Sequence, residues 1–120
     1  MVIVRFEDLD CWKAARALVR LVYGLTLTNP FARDFGLRDQ IQKAAISVMA
    51  NIAEGFGTVS NAEFVRFLGF SLRSAIEVQS HLYAARDLAY IDDENFEKCY
   101  VGAQDCVNLC KGFIKYLKES

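Results

Sequence analysis

Groups able to do covalent or acid–base chemistry are few in this 120-residue chain. His81 is the only histidine, and the four cysteines stand at 11, 99, 106 and 110 with no C-x-x-C pair. Glu54, Glu77 and His81 form the one acid–base trio worth weighing, with Glu77 and His81 four residues apart on a helical face. Ferritin-like bundle sites use several carboxylates and two histidines in Glu-x-x-His motifs, so one histidine falls short. No Ser-His-Asp order and no phosphate-cradling glycine loop is present. Cys106 and Cys110 share a helical face and offer two metal ligands, but no second pair completes a tetrahedral site. Free cysteine is among the most buried residue types, and all four are read as core thiols. The expectation is no catalytic residue, no metal and no cofactor.

The polar residues whose spacing carries most meaning lie in Ala44–Gly57, AAISVMANIAEGFG. At 3.6 residues per turn Ser47, Asn51 and Glu54 fall on one stripe, which Gln40 extends. The other faces carry alanine, isoleucine, valine and methionine. A helix apolar nearly all round is a buried one. Buried polar groups must be hydrogen-bonded, because each unpaired one costs a few kcal/mol. The stripe is therefore expected to form a network from Asn51 and Glu54 to Ser74 and Glu77, or to a neighbouring subunit. The alternative is a stripe that faces water and only interrupts an apolar helix.

Charge is nearly balanced, 14 basic against 15 acidic residues, whereas nonspecific nucleic-acid binders usually show a basic excess. Lys13, Arg16 and Arg20 nevertheless make a ridge at i, i+3, i+7, readable as a phosphate contact or as the solvated face of an amphipathic helix. The hydrophobic fraction, 53%, exceeds what one small core needs and points to a further buried surface between subunits. The first ten residues carry Arg5, Glu7, Asp8 and Asp10 where a secretory signal needs an apolar run. The longest charge-free stretches fall short of the ~20 residues that cross a bilayer. A soluble, cytoplasmic protein without membrane association is expected.

Periodicity predicts four helices at about 8–26, 37–56, 60–88 and 93–118 in a single domain over 1–120. Asp8 or Asp10 can cap the first. Asn29-Pro30 breaks the pattern, with Phe31 and Phe35 expected to tuck onto the bundle. Gly55 and Gly57 are expected to end the second helix in the left-handed conformation. Ser60 and Glu63 have the form of a capping box. In the third helix Phe64, Leu68, Ser71, Ala75, Val78, Leu82 and Ala85 keep 3-4 spacing, while Arg73 and Glu77 can pair. Asp92 or Asp93 can cap the fourth, where Phe96, Cys99, Ala103, Cys106, Cys110, Phe113 and Leu117 repeat. Gly102 and Gly112 inside it cost roughly 1 kcal/mol each against alanine, and close helix approach is the expected return. Three short connections among four helices give an all-α, antiparallel up-down-up-down four-helix bundle.

Gln40-x-x-x-Ala44-Ala45-x-Ser47-x-x-x-Asn51-Ile52-Ala53-Glu54-Gly55-Phe56-Gly57, continued by Glu63-Phe64-x-x-Phe67-Leu68, Ser74-x-x-Glu77 and Leu88-x-Tyr90-Ile91, closely resembles the four-helix-bundle family of 23S rRNA intervening-sequence proteins. The accessory variability proteins of diversity-generating retroelements look like relatives. The resemblance implies a left-handed bundle that assembles as a homo-oligomer, commonly a ring of five, without enzymatic activity. Arg73 stands where the family tends to have glycine, and Arg33 where an acidic residue is common. Two functions compete: a homo-oligomeric scaffold or adaptor presenting its surface to a protein partner, and an RNA- or DNA-binding accessory protein using Lys13, Arg16 and Arg20. Membrane binding is not expected, since no helix combines a strong basic face with exposed aromatics.

Overall fold

A computed structural model describes residues 3–120. Four α-helices carry the chain: α1 (Asp10–Thr26), α2 (Phe35–Phe56), α3 (Asn61–Asp87) and α4 (Asp93–Lys118), with single 3-10 turns at Phe6–Asp8 and Phe31–Arg33. Consecutive helices are neighbours and α4 closes back onto α1. Antiparallel register is visible in the pairs that meet: Thr26 with Gln42, Ser47 with Ser74, Gln79 with Gln104. α3 and α4 have 27 and 26 residues. At 1.5 Å per residue each runs about 40 Å, nearly the 46 Å long axis of the molecule. The core runs along the bundle axis through Ala15, Leu18, Val22, Ile41, Ala45, Val48, Ile52, Leu68, Ala75, Val78, Leu82, Ala103 and Cys106, all fully buried.

The helix ends differ from expectation in ways that have local causes. Neither Asp8 nor Asp10 caps α1; Leu9 holds the N-cap position without a side-chain bond, and Asp8 lies 3.5 Å from Arg5. α2 begins two residues earlier than the apolar pattern suggests, because Asp34 caps it by accepting from the Leu37 amide at 3.1 Å. Phe31 is completely buried, but Phe35 is 64% exposed under the Arg38 guanidinium. Ser60 accepts from the Glu63 amide, whereas the Glu63 carboxylate turns to Arg66 and does not complete a capping box. Asp92 caps α4 by accepting from Asn95 at 2.8 Å.

Gly57 ends α2 with φ −78°, so no left-handed glycine stops this helix. The left-handed residue among those described is Ala89, φ 60°, just past α3. There Tyr90 N donates to Ala85 O and Ala89 N to Arg86 O, the paired bonds of a Schellman motif. Gly55 serves packing: a Cβ there would lie 2.7 Å from Phe67 Cβ and 2.9 Å from Phe64 Cδ1. Gly102 lets α4 approach α1, with Leu21 Cδ1 3.2 Å from its would-be Cβ; Gly112 has nothing within 4 Å and makes no such approach.

Candidate functional site

Where α2 packs on α3, small polar side chains sit among the larger apolar ones and pair across the seam. Ser71, fully buried, donates its hydroxyl to Val48 O at 2.6 Å. One turn further out, Ser74 Oγ donates to Ser47 Oγ at 2.9 Å. Asn51 Nδ2 donates to both Ser47 Oγ and Ser47 O, each at 2.9 Å. Asn51, Ser47 and Ser74 thus form one half-buried cluster that holds α2 and α3 in register.

The remaining stripe residues lie elsewhere. Gln40 and Glu54 are exposed. Glu77 turns along its own helix to His81, with Oε2 and Nε2 3.0 Å apart, and so does not pair with Arg73. Arg73 instead sits 5.2 Å over the Phe70 ring. The neighbour of Glu54, Gly55, is level with Phe67, ten residues before Glu77, or about 15 Å along α3. Glu54, Glu77 and His81 therefore do not converge on one reacting atom. Among the described residues no three His, Cys, Asp or Glu side chains cluster as a metal site would require.

The outward side of α2 departs from the fully buried helix that its composition suggests. Lys43, Ile46, Ala50 and Glu54 succeed one another at helical spacing on the surface, and Ile46 is 41% exposed. Between Lys43 and Glu54, more than two turns, this face presents no charge. Tyr23 of α1 and Ile46 share a shallow cleft of about 330 Å³ with Gln42, whose amide donates to the buried Thr26 hydroxyl.

Lys13, Arg16 and Arg20 are all exposed on α1, and among the described residues none has a carboxylate within 4.0 Å. The Arg16 guanidinium lies 5.8 Å over Trp12. Arg20 and Lys98 border one cleft with Asn95 and Thr28.

All four cysteines are buried and outside any disulfide. Burial pushes the Cys99 and Cys106 thiols up to about 12. The thiols of Cys11 and Cys110 shift against each other: that of Cys11 is raised by Cys110 and by burial, and that of Cys110 is lowered. Cys110 Sγ in turn donates to Ser71 Oγ at 3.9 Å. Cys110, Ser71 and Val48 O are a continuous polar chain through the core, touching α4, α3 and α2 in succession.

Three polar anchors escape sequence reasoning. Gln79 is buried and donates to Gln104 at 3.0 Å. Thr26 accepts from Gln42. Tyr90 donates its hydroxyl to Asp34 at 2.9 Å and lies against Phe31, tying the α3–α4 turn to the start of α2. The Leu37 amide and then the Tyr90 hydroxyl hold the Asp34 carboxyl below its usual range. None of these left a signal in the spacing: Gln79, for one, stands in the polar run Gln79-Ser80-His81 between Val78 and Leu82.

Fold and site together define a four-helix bundle whose polar residues organise helix contacts. Residues 7–112 match the family described as 23S rRNA-intervening sequence protein, and the chain belongs to that family. A crystal structure of a protein of unknown function from the S23 ribosomal protein family of Bacteroides thetaiotaomicron VPI-5482 superposes with a TM-score of 0.80 at 24% identity, covering 88% of this chain and 95% of that one. At that identity the likeness establishes the fold. No curated protein matches the chain. The likeness to retroelement accessory proteins gains no support from these comparisons. No helix among the described residues is long and apolar enough to cross a membrane.

Proposed function

We propose that this protein is a non-enzymatic, homo-oligomeric helical scaffold that assembles through the outer face of α2 and presents its remaining surface to a protein partner. The observation that carries this reading is the exposed, uncharged stretch of α2 holding Ile46 and Ala50. Leaving Ile46 in water forgoes part of the ~1.5–3 kcal/mol that burying such a side chain contributes. A small residue one turn away lets a second helix approach closely. A ring of five, working in the cytoplasm, is the assembly consistent with the family resemblance. The Ser47–Asn51–Ser74 cluster has the role of fixing the α2–α3 register on which that face depends.

A second reading rests on the unpaired Lys13, Arg16 and Arg20: an RNA- or DNA-binding accessory protein, associated with rRNA insertions or a retroelement reverse transcriptase. Repetition around a ring would create basic bands despite the near-neutral net charge, because phosphate binding depends on local field. Light scattering on the purified protein, read with its 260/280 nm absorbance ratio, addresses both readings. A multimer free of nucleic acid supports the scaffold. A monomer at working concentration contradicts it. Salt-sensitive RNA binding that weakens in a Lys13/Arg16/Arg20 triple-alanine variant would favour the second reading.

A further inference from the structure

The cleft between the second half of α1 and the start of α4 combines unpaired cations with apolar wall, and assembly through α2 makes no use of it. It holds about 450 Å³, within the size range of small-molecule sites. Arg20 lines it from α1 and Lys98 from α4. Both are exposed, and among the described residues neither has a carboxylate within 4.0 Å. That holds for Lys98 although Glu94 stands one turn before it. Leu21 and Leu25, both half-buried, and the buried Ile91 supply the apolar wall. Most other polar groups of the cleft are committed: Thr28 Oγ1 donates to Gly24 O at 2.9 Å, the Tyr90 hydroxyl donates to Asp34, and Asp92 Oδ1 accepts from the Asn95 amide at 2.8 Å. Gly24 also lines the cleft, and a Cβ built there meets nothing within 4 Å. Glycine weakens a helix interior relative to alanine. No neighbour requires one here, and its effect is to leave the cleft open.

We propose that this cleft binds a small amphiphilic carboxylate of the fatty-acid type, with its head on Arg20 and Lys98 and its chain against Leu21, Leu25 and Ile91. The charge count selects the head. Arg20 and Lys98 bring two positive charges against the one negative charge of Asp92, which suits a single anionic group. Asp93 and Glu94 in the first turn of α4 add to the bias against a polyphosphate or a nucleic-acid strand. A guanidinium meets a carboxylate with two parallel N–H bonds, and the lysine adds a point charge from the other helix. Leu21, Leu25 and Ile91 contribute through apolar area removed from water, which a bare inorganic anion would not bury. Lys13 and Arg16 of the basic ridge do not line the cleft, so this site is separable from a phosphate contact along α1.

The test is equilibrium dialysis of the purified protein against radiolabelled octanoate, with unlabelled octanol and sodium acetate as competitors. The expected result is saturable binding of one octanoate per chain, displaced poorly by octanol, which lacks the charge, and by acetate, which lacks the chain. Arg20→Gln and Lys98→Gln should each weaken it about fivefold, the size of one exposed charge pair. Gly24→Leu should abolish it by filling the cleft; leucine favours helix over glycine, so this variant keeps the fold, as circular dichroism will show. Lys13→Ala/Arg16→Ala should leave octanoate binding unchanged, which separates this site from nucleic-acid binding by the ridge. Ala50→Glu should also leave it unchanged, so the outcome is independent of assembly through α2. No binding at millimolar octanoate, equal competition by octanol, or undiminished binding in Gly24→Leu would each overturn the proposal.

Discussion

Replacing Gly55 with alanine sets two effects of opposite sign against each other. Alanine favours a helix interior over glycine by about 0.8–1.0 kcal/mol. Gly55 lies in the last turn of α2, where fraying reduces that gain. Against it stands the geometry: the new methyl would lie 2.7 Å from Phe67 Cβ and 2.9 Å from Phe64 Cδ1. Carbon atoms rest at about 3.5–4.0 Å. The Phe64 ring can turn aside, but Phe67 Cβ is fixed to the backbone of α3, so the helices must separate by about 1 Å. Overpacking of this kind costs about 1–3 kcal/mol. The expected net effect is a loss of about 1–2 kcal/mol, read by urea denaturation at fixed protein concentration with an unchanged m-value. Gly69→Ala is the control, because a Cβ there meets nothing within 4 Å. It should be neutral or stabilise by up to about 1 kcal/mol. A Gly55→Ala protein as stable as Gly69→Ala would refute the close-packing explanation.

Further outcomes follow from single positions. Ala89→Gly should stabilise the protein by about 1 kcal/mol in the same urea assay, since φ 60° strains alanine and not glycine. Asn51→Leu removes the donor to Ser47 and should lower stability by about 0.5–1.5 kcal/mol and disturb assembly; an unchanged Tm and particle size would remove the polar cluster from the account. The Asp34 carboxyl is held below its usual range in the folded protein, so it contributes stability above the ordinary carboxylate pKa, and this is lost as pH falls through the folded value. Melting curves across the acid range should show a smaller acid-side loss in Tyr90→Phe, which lacks one of the bonds responsible; identical acid profiles would contradict this assignment.

Four helices were legible because apolar spacing in α3 and α4 is long and regular, and the residues it selected, from Phe64 to Leu82 and Phe96 to Leu117, line the core. Boundaries were less legible where a side chain outside the periodic run decides them. Asp34 caps α2 from a turn that also needs Tyr90, 56 residues away, to define its geometry. Glycine was misread at Gly55 because composition cannot distinguish a helix stop from a position where a neighbour's backbone comes too close. The stripe on α2 was visible as polar spacing, but its partners depend on rotamers: Glu77 reaches His81 on its own helix, and Ser74 alone crosses to Ser47. The outer face of α2 was hidden by the same logic. An apolar residue such as Ile46 or Ala50 reads as core until the neighbouring helices are placed and leave it uncovered.

The most direct test of assembly through α2 is light scattering on wild type beside Ala50→Glu. Ala50 is exposed in the single chain, so a glutamate there has little to disturb in the bundle itself and helical circular dichroism should be unchanged. At an interface the same charge would be desolvated without a partner, a cost of several kcal/mol per contact that a ring multiplies. Assembly through α2 gives a wild-type multimer, of five subunits in the ring form, and a folded monomer for Ala50→Glu. A monomeric wild type, or a variant that keeps the wild-type size, would contradict it.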